Sequence, residues 1–218
     1  STLSATMPRA GLCRDQHSRT CSAHVDPIEK KPFFHFYPGS LAFSVATAGC
    51  NVNCKMCQNW EISQVRPEQI RNMYLPPKDL ARPAKQYMCA SIAYTYSEPV
   101  VFYEYMIDAA DAGHGQNVDS VVVAGGYIKE EPLKKLCQCV NAIKVDLKAF
   151  SQKFYSEVVN GELKPVLDAL VTTRKLGMWT EVVYLVKTGL VPFSWRFHMF
   201  VAFDSISQSD HLRCLGRF

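Results

Sequence analysis

No stretch of this chain approaches the length of apolar sequence needed to span a bilayer, and no charged-then-apolar leader opens it, so a soluble, non-membrane protein is expected. Repeats and low-complexity tracts are absent, and the composition argues against a disordered or fibrous class. A strong charge of either sign is lacking too: 24 Lys and Arg face 20 Asp and Glu, for a net charge of +4. The lysine pairs Lys30-Lys31 and Lys134-Lys135 read as solvated faces, and no nucleic-acid partner is expected. Nine cysteines are an odd number without the regular framework of a small secreted domain, so a reducing cytoplasm suits them. The chain opens on Ser1, which is compatible with a fragment of a longer protein. What is present is 218 residues that are 48% hydrophobic and 20% charged, enough to bury one substantial core.

Three of the cysteines stand together. Cys50, Cys54 and Cys57 form C-x3-C-x2-C directly after the apolar, strand-like run Leu41 to Thr47. That spacing lets one loop wrap three thiolates around a single [4Fe–4S] cubane and leaves one iron without a protein ligand. A structural zinc site usually takes four ligands in two pairs, and no second pair of that kind exists. Cys137 and Cys139 form C-x-C in a helix-like stretch, and the six histidines are scattered. Zinc binding, or three unrelated core thiols, stay open on spacing alone. Cys89, Cys137, Cys139 and Cys214 read as ordinary packed thiols.

Residues 1–23, with Cys13 and Cys21, read as a loosely structured lead-in, 24–203 as the core and 204–218 as an irregular tail. The proline-punctuated, aromatic segment His24 to Gly39 predicts an ordered loop over one end of the core. Short apolar runs then alternate with helical patterns, the sign of βαβ units and a parallel sheet. The expected strands are Leu41 to Thr47, Ser91 to Tyr96, Ser120 to Ala124, Ala142 to Leu147 and Thr180 to Val186, with a sixth near Arg196 to Phe203. Pro99 should open a helix that Gly113 ends, and Pro165 another that Gly177 ends.

In a parallel α/β barrel the chemistry collects at the carboxyl ends of the strands. After the first strand comes the cysteine loop, after the second Glu98-Pro99, after the third Gly125-Gly126, around the fourth Asp146 and Lys148, and after the fifth Lys187-Thr188-Gly189. Asp146 and Lys148 are two apart, so both can face the barrel mouth, although a buried ion pair with no ligand would look the same. Glu98 could equally be an N-terminal anion for the helix that begins at Pro99.

The strings HVDPIEKKPFFHFYPGS (His24 to Ser40), CNVNCKMCQNWEISQ (Cys50 to Gln64), SIAYTYSEPVVFYEYMID (Ser91 to Asp108), GGYI (Gly125 to Ile128) and VDLK (Val145 to Lys148) together resemble the radical S-adenosylmethionine (radical SAM) enzymes. Within them the chain looks like the AmmeMemoRadiSam-system radical enzymes, which are similar to pyruvate formate-lyase activating enzymes. The resemblance implies an α/β fold, a partial (β/α)6 TIM-like barrel, which a departure from the pattern after Leu190 would truncate at its C-terminal end. It implies a [4Fe–4S] cluster on Cys50, Cys54 and Cys57 and S-adenosylmethionine on the open iron, with Glu98, Asp146 and Lys148 as cofactor contacts. A flavodoxin- or ferredoxin-like donor would supply the electron, and the resulting 5′-deoxyadenosyl radical would take hydrogen from a small molecule or a partner protein, as in glycyl-radical activation.

Four departures stand out. Met56 replaces the aromatic residue that such enzymes usually pack near the adenine, and its thioether can fill that space. Gly125 stands where the family tends to have an Asn. The cysteine-rich amino-terminal segment is reduced to Cys13 and Cys21, and after Leu190 the expected strand–helix pattern collapses. A degenerate, non-catalytic barrel with a structural metal or an interaction role is the alternative these departures allow.

Overall fold

The computed structural model describes residues 18–184, 200–204 and 213–214. Among them one sheet holds β1 (Ser22–Pro27), β2 (Leu41–Ala46), β3 (Ser91–Tyr94), β4 (Asp119–Ala124), β5 (Ala142–Leu147), β6 (Trp179–Tyr184), β7 (Phe200–Asp204) and β8 (Arg213–Cys214), lying side by side in chain order. Strands β2 to β6 are mutually parallel. The outer ones, β1 on β2 and β7 on β6, run antiparallel.

Four helices make the crossovers: α1 (Ala81–Gln86), α2 (Tyr103–His114), α3 (Glu130–Cys139) and α4 (Leu163–Lys175). Crossovers between parallel strands are right-handed, so consecutive strands in sequential order receive their helices on one face of the sheet. That arrangement is a barrel wound one way and left open, and it matches the expected partial barrel. The parallel strands fall where the sequence places them. The sixth does not follow: Arg196 to His198 lie outside the described residues, and Phe200–Asp204 returns antiparallel, so the described parallel set has five members. Lys187, Thr188 and Gly189 also lie outside the described residues.

Strand alternation divides the core in two. Phe43, Val45, Ile92, Tyr94, Val122, Ile143, Val145 and Leu147 point to the helices and pack with Met106, Leu133, Leu136 and Val166. Ala42, Ala93, Val121 and Ala142 point to the concave face, where Ile28, Phe33 and Phe36 cover them. The aromatic segment therefore plugs the barrel at its amino end, as expected. Its anchor is the fully buried Glu181 on β6, whose carboxylate accepts the backbone N–H groups of Phe34 (2.9 Å), His35 (3.2 Å) and Phe36 (3.1 Å).

Two local expectations need correction. Residues from His24 onward begin as the strand β1 rather than a loop; its largely exposed side chains, with only Asp26 buried, give little apolar signal because β1 is an edge. Gly113 does not end α2 but lies inside it, where a Cβ would sit 3.0 Å from the carbonyl oxygen of Val118, so this glycine serves a close approach. Gly177, at φ +71°, does end α4 in the left-handed conformation.

Candidate functional site

The cysteine loop leaves the carboxyl end of β2 and is tied down on three sides. Its backbone N–H groups at Asn53 and Lys55 donate to Val159 (3.2 Å) and Val158 (2.9 Å), which follow β5. The Asn51 amide donates to the Tyr127 carbonyl at 2.7 Å, beyond β4. A single helical turn, Trp60–Ser63, closes the loop behind Cys57: the carbonyl of Ile62 accepts from Gly49 (2.8 Å), just ahead of Cys50. Both ends of the ligand loop thus bear on one turn. Few degrees of freedom would remain for the thiols to lose on binding a metal.

Cys50, Cys54 and Cys57 are free and half-buried. Burial pushes the Cys50 thiol up to about 12, with the Glu98 carboxylate and the other two cysteines adding to it. Burial also raises Cys54, against the pull of the Lys148 ammonium. The three thiols stand in one loop at the carboxyl end of β2, close enough that the other two raise Cys50 further. Among the described residues no group of three or more His, Cys, Asp and Glu side chains, the three cysteines included, is drawn together tightly enough to hold a single metal ion.

The other expected residues gather at the same end of the sheet. Glu98 caps the turn Pro99–Phe102 that leads into α2. Its Oε2 accepts the Gly125 N–H at 2.7 Å and its Oε1 the Val100 N–H at 3.3 Å. Burial raises this carboxyl to about 7, although both backbone donors and Lys148 pull the other way. A Cβ at Gly125 would lie 3.1 Å from Glu98 Oε2, so the glycine makes room for the carboxylate. Lys148 Nζ reaches Asp146 Oδ2 at 3.4 Å. Burial opposes charge on both, yet Lys144 and Lys148 hold the Asp146 carboxyl below its ordinary value, and Asp146, Cys54 and Glu98 hold the Lys148 ammonium above its own. Met56 is half-buried in the cysteine loop and joins this group by position only.

Several residues were not anticipated. Lys144 is buried on β5, two residues from Asp146, and bonds its Oδ1; the i, i+2, i+4 alternation of Lys144, Asp146 and Lys148 was the available signal. Tyr96 stands at φ +69°, a rare conformation for a bulky residue, and this ends β3 two residues early. Its carbonyl accepts from the Asn59 amide at 2.6 Å, linking the cysteine loop to the Glu98 segment. Its hydroxyl donates to Asp26 at 2.6 Å, and Lys31 Nζ binds the same carboxylate at 2.7 Å while lying 4.0 Å from the Tyr96 ring centre. No local pattern marks the contacts of Tyr96 with Lys31 and Asp26, which lie 65 and 70 positions away.

Among the described residues no helix is long and apolar enough to cross a membrane. The family model for the radical SAM superfamily matches residues 44–192. An uncharacterized protein of Methanocaldococcus jannaschii is 42% identical over 170 residues, which cover 78% of this chain and 50% of that relative. The chain thus spans half the length of the curated relative it matches. Among solved structures, SuiB of Streptococcus suis bound to S-adenosylmethionine is 14% identical with a TM-score of 0.46, over 71% of this chain and 34% of that one. QueE from Escherichia coli is 10% identical with a TM-score of 0.44, over 76% of this chain and 93% of that one. At these scores neither likeness bears further weight.

Proposed function

The chain belongs to the radical SAM superfamily, whose cofactors are a [4Fe–4S] cluster and S-adenosylmethionine, and on that premise we propose that it cleaves S-adenosylmethionine reductively. When bound, the cofactor pair supplies a 5′-deoxyadenosyl radical that takes hydrogen from a substrate or partner protein. The observation that carries this reading is the gathering of three free thiols, a buried carboxylate and a half-buried Asp–Lys pair at the carboxyl ends of three strands of a parallel sheet.

Each residue has a role in it. Cys50, Cys54 and Cys57 hold the cluster. Glu98, kept dry and oriented by Gly125 and Val100, accepts a proton-bearing ammonium, and a dry carboxylate binds such a group more strongly than a solvated one. Asp146 and Lys148 offer an acceptor and a donor for the ribose and carboxylate of the same ligand. Met56 packs beside the adenine. Gly125 gives Glu98 its room, which assigns the glycine a use in place of the Asn that the resemblance leads one to expect there. A flavodoxin- or ferredoxin-like protein supplies the electron, and the setting is a reducing cytoplasm.

Anaerobic reconstitution with iron and sulfide, dithionite reduction and assay for 5′-deoxyadenosine test the proposal. Wild type should form the nucleoside, and alanine at Cys50, Cys54 or Cys57 should remove both the brown chromophore and the product. A loaded cluster that never cleaves the cofactor would instead identify a degenerate barrel.

A further inference from the structure

We propose that Ser63 donates a hydrogen bond to the Cys57 sulfur once that sulfur holds iron, and that this bond makes the cluster easier to reduce; the inference rests on the cluster reading above. Ser63 is 3% exposed, and its Oγ lies 3.2 Å from Cys57 Sγ. The same hydroxyl donates to the Asn59 carbonyl at 2.7 Å. A serine hydroxyl has one proton and two lone pairs, so while its proton is on Asn59 the thiol proton of Cys57 must fill the contact to Ser63.

Iron changes the partners. A thiolate ligand has no proton, and two lone-pair-bearing atoms would then face each other in a buried space. The turn cannot relax by moving away, because Gly49 holds Ile62 at 2.8 Å and that contact closes the ligand loop. Rotating the hydroxyl resolves the conflict, and it leaves little behind. The Asn59 carbonyl still accepts the backbone N–H groups of Ile62 (3.1 Å) and Ser63 (3.0 Å), so it gives up the hydroxyl without becoming an orphaned acceptor. A donor aimed at a cluster sulfur favours the reduced, more negative state. Ser63 is thus a positioning residue that acts through Cys57.

The test compares reconstituted wild type with Ser63→Val, which lacks the hydroxyl, and Ser63→Thr, which keeps it, the two variants matching each other in bulk. Redox titration followed by electron paramagnetic resonance should show Ser63→Val about tenfold less reduced at a given potential, a lowering of about 59 mV for one electron, with iron content unchanged and Ser63→Thr near wild type. In deuterated buffer, pulsed electron–nuclear double resonance should find an exchangeable deuteron coupled to the wild-type cluster that Ser63→Val lacks. An unchanged potential in Ser63→Val overturns the proposal, as does loss of iron uptake in Ser63→Val alone, which would make the hydroxyl a structural prop. If neither variant loads, the deuteron measurement on wild type decides: coupling supports the proposal and its absence overturns it. Wild type that takes up no cluster refutes the cluster reading itself.

Discussion

Glu98→Gln should make the protein more stable and the cofactor bind more weakly. The carboxyl is 4% exposed and burial lifts it to about 7 from an ordinary value of 4.5. Ionising it inside the folded chain therefore costs about 3 kcal/mol more than in the unfolded one. The sign follows from proton counts: between the two values the folded state holds the proton that the unfolded state has released. Stability is then highest below about pH 4.5, falls as the pH rises towards 7, and levels off above it. Glutamine never ionises, so the variant should lack that fall. It keeps an oxygen for the Gly125 N–H but turns an amide N–H₂ towards Val100, which returns about 1 kcal/mol of the gain. A net stabilisation of about 2 kcal/mol at pH 8 is expected, a rise in Tm of roughly 4–8 °C for a chain of this size. Loss of a charge-assisted bond to the cofactor ammonium should weaken binding by about 10- to 100-fold. Thermal unfolding of the cluster-free protein at pH 5 and 8, and equilibrium dialysis of S-adenosylmethionine on the reconstituted protein, measure the two effects. A destabilised variant that binds as wild type would refute the reasoning, because Glu98 would then be a helix cap and nothing more.

Asp26→Ala should cost about 3–5 kcal/mol, since it leaves the Lys31 ammonium, 2% exposed, without its carboxylate beside the Tyr96 hydroxyl and ring. Adding Lys31→Met should recover most of that loss in urea titrations; a double variant as unstable as the single would show that the pair is not the cause. Lys30, Lys31 and Tyr96 together overcome the effect of burial and hold the Asp26 carboxyl well below its ordinary range, so its contribution is present above about pH 4 and lost as the pH falls below. Gly126→Ala, at φ +75° with a Cβ 2.9 Å from Val145 Cγ1 and 3.2 Å from Val166 Cγ1, should lose about 2–3 kcal/mol. Gly39→Ala, at φ +79° in open space, carries only the backbone penalty of about 1 kcal/mol, and equal melting shifts for the two would count against the packing argument.

The parallel strands β2 to β6 were legible because each is a short apolar run bounded by turn chemistry, and strand order then places every following loop at one end. The cysteine loop, Glu98, Gly125, Asp146 and Lys148 could accordingly be named from the chain alone. What escaped has a common physical cause. Glu181 looks like any charged residue in a strand until the backbone of Phe34, His35 and Phe36 arrives from about 145 residues away to use its carboxylate. The strand β1 owes its existence to the free edge of β2 rather than to its own apolar content, and Tyr96 adopts a left-handed backbone that no periodicity announces. Ser63 is only six residues from Cys57, but its meaning depends on a turn whose closure through Gly49 and Ile62 is tertiary.

The claim at the centre of this account is that three protein thiolates leave one iron open to the cofactor. Electron–nuclear double resonance on the reduced cluster, with S-adenosylmethionine carrying 15N in its amino group and 17O in its carboxylate, reads that contact directly. Hyperfine coupling to both labels is the expected result. A fully loaded cluster with no coupling to either label would contradict the claim.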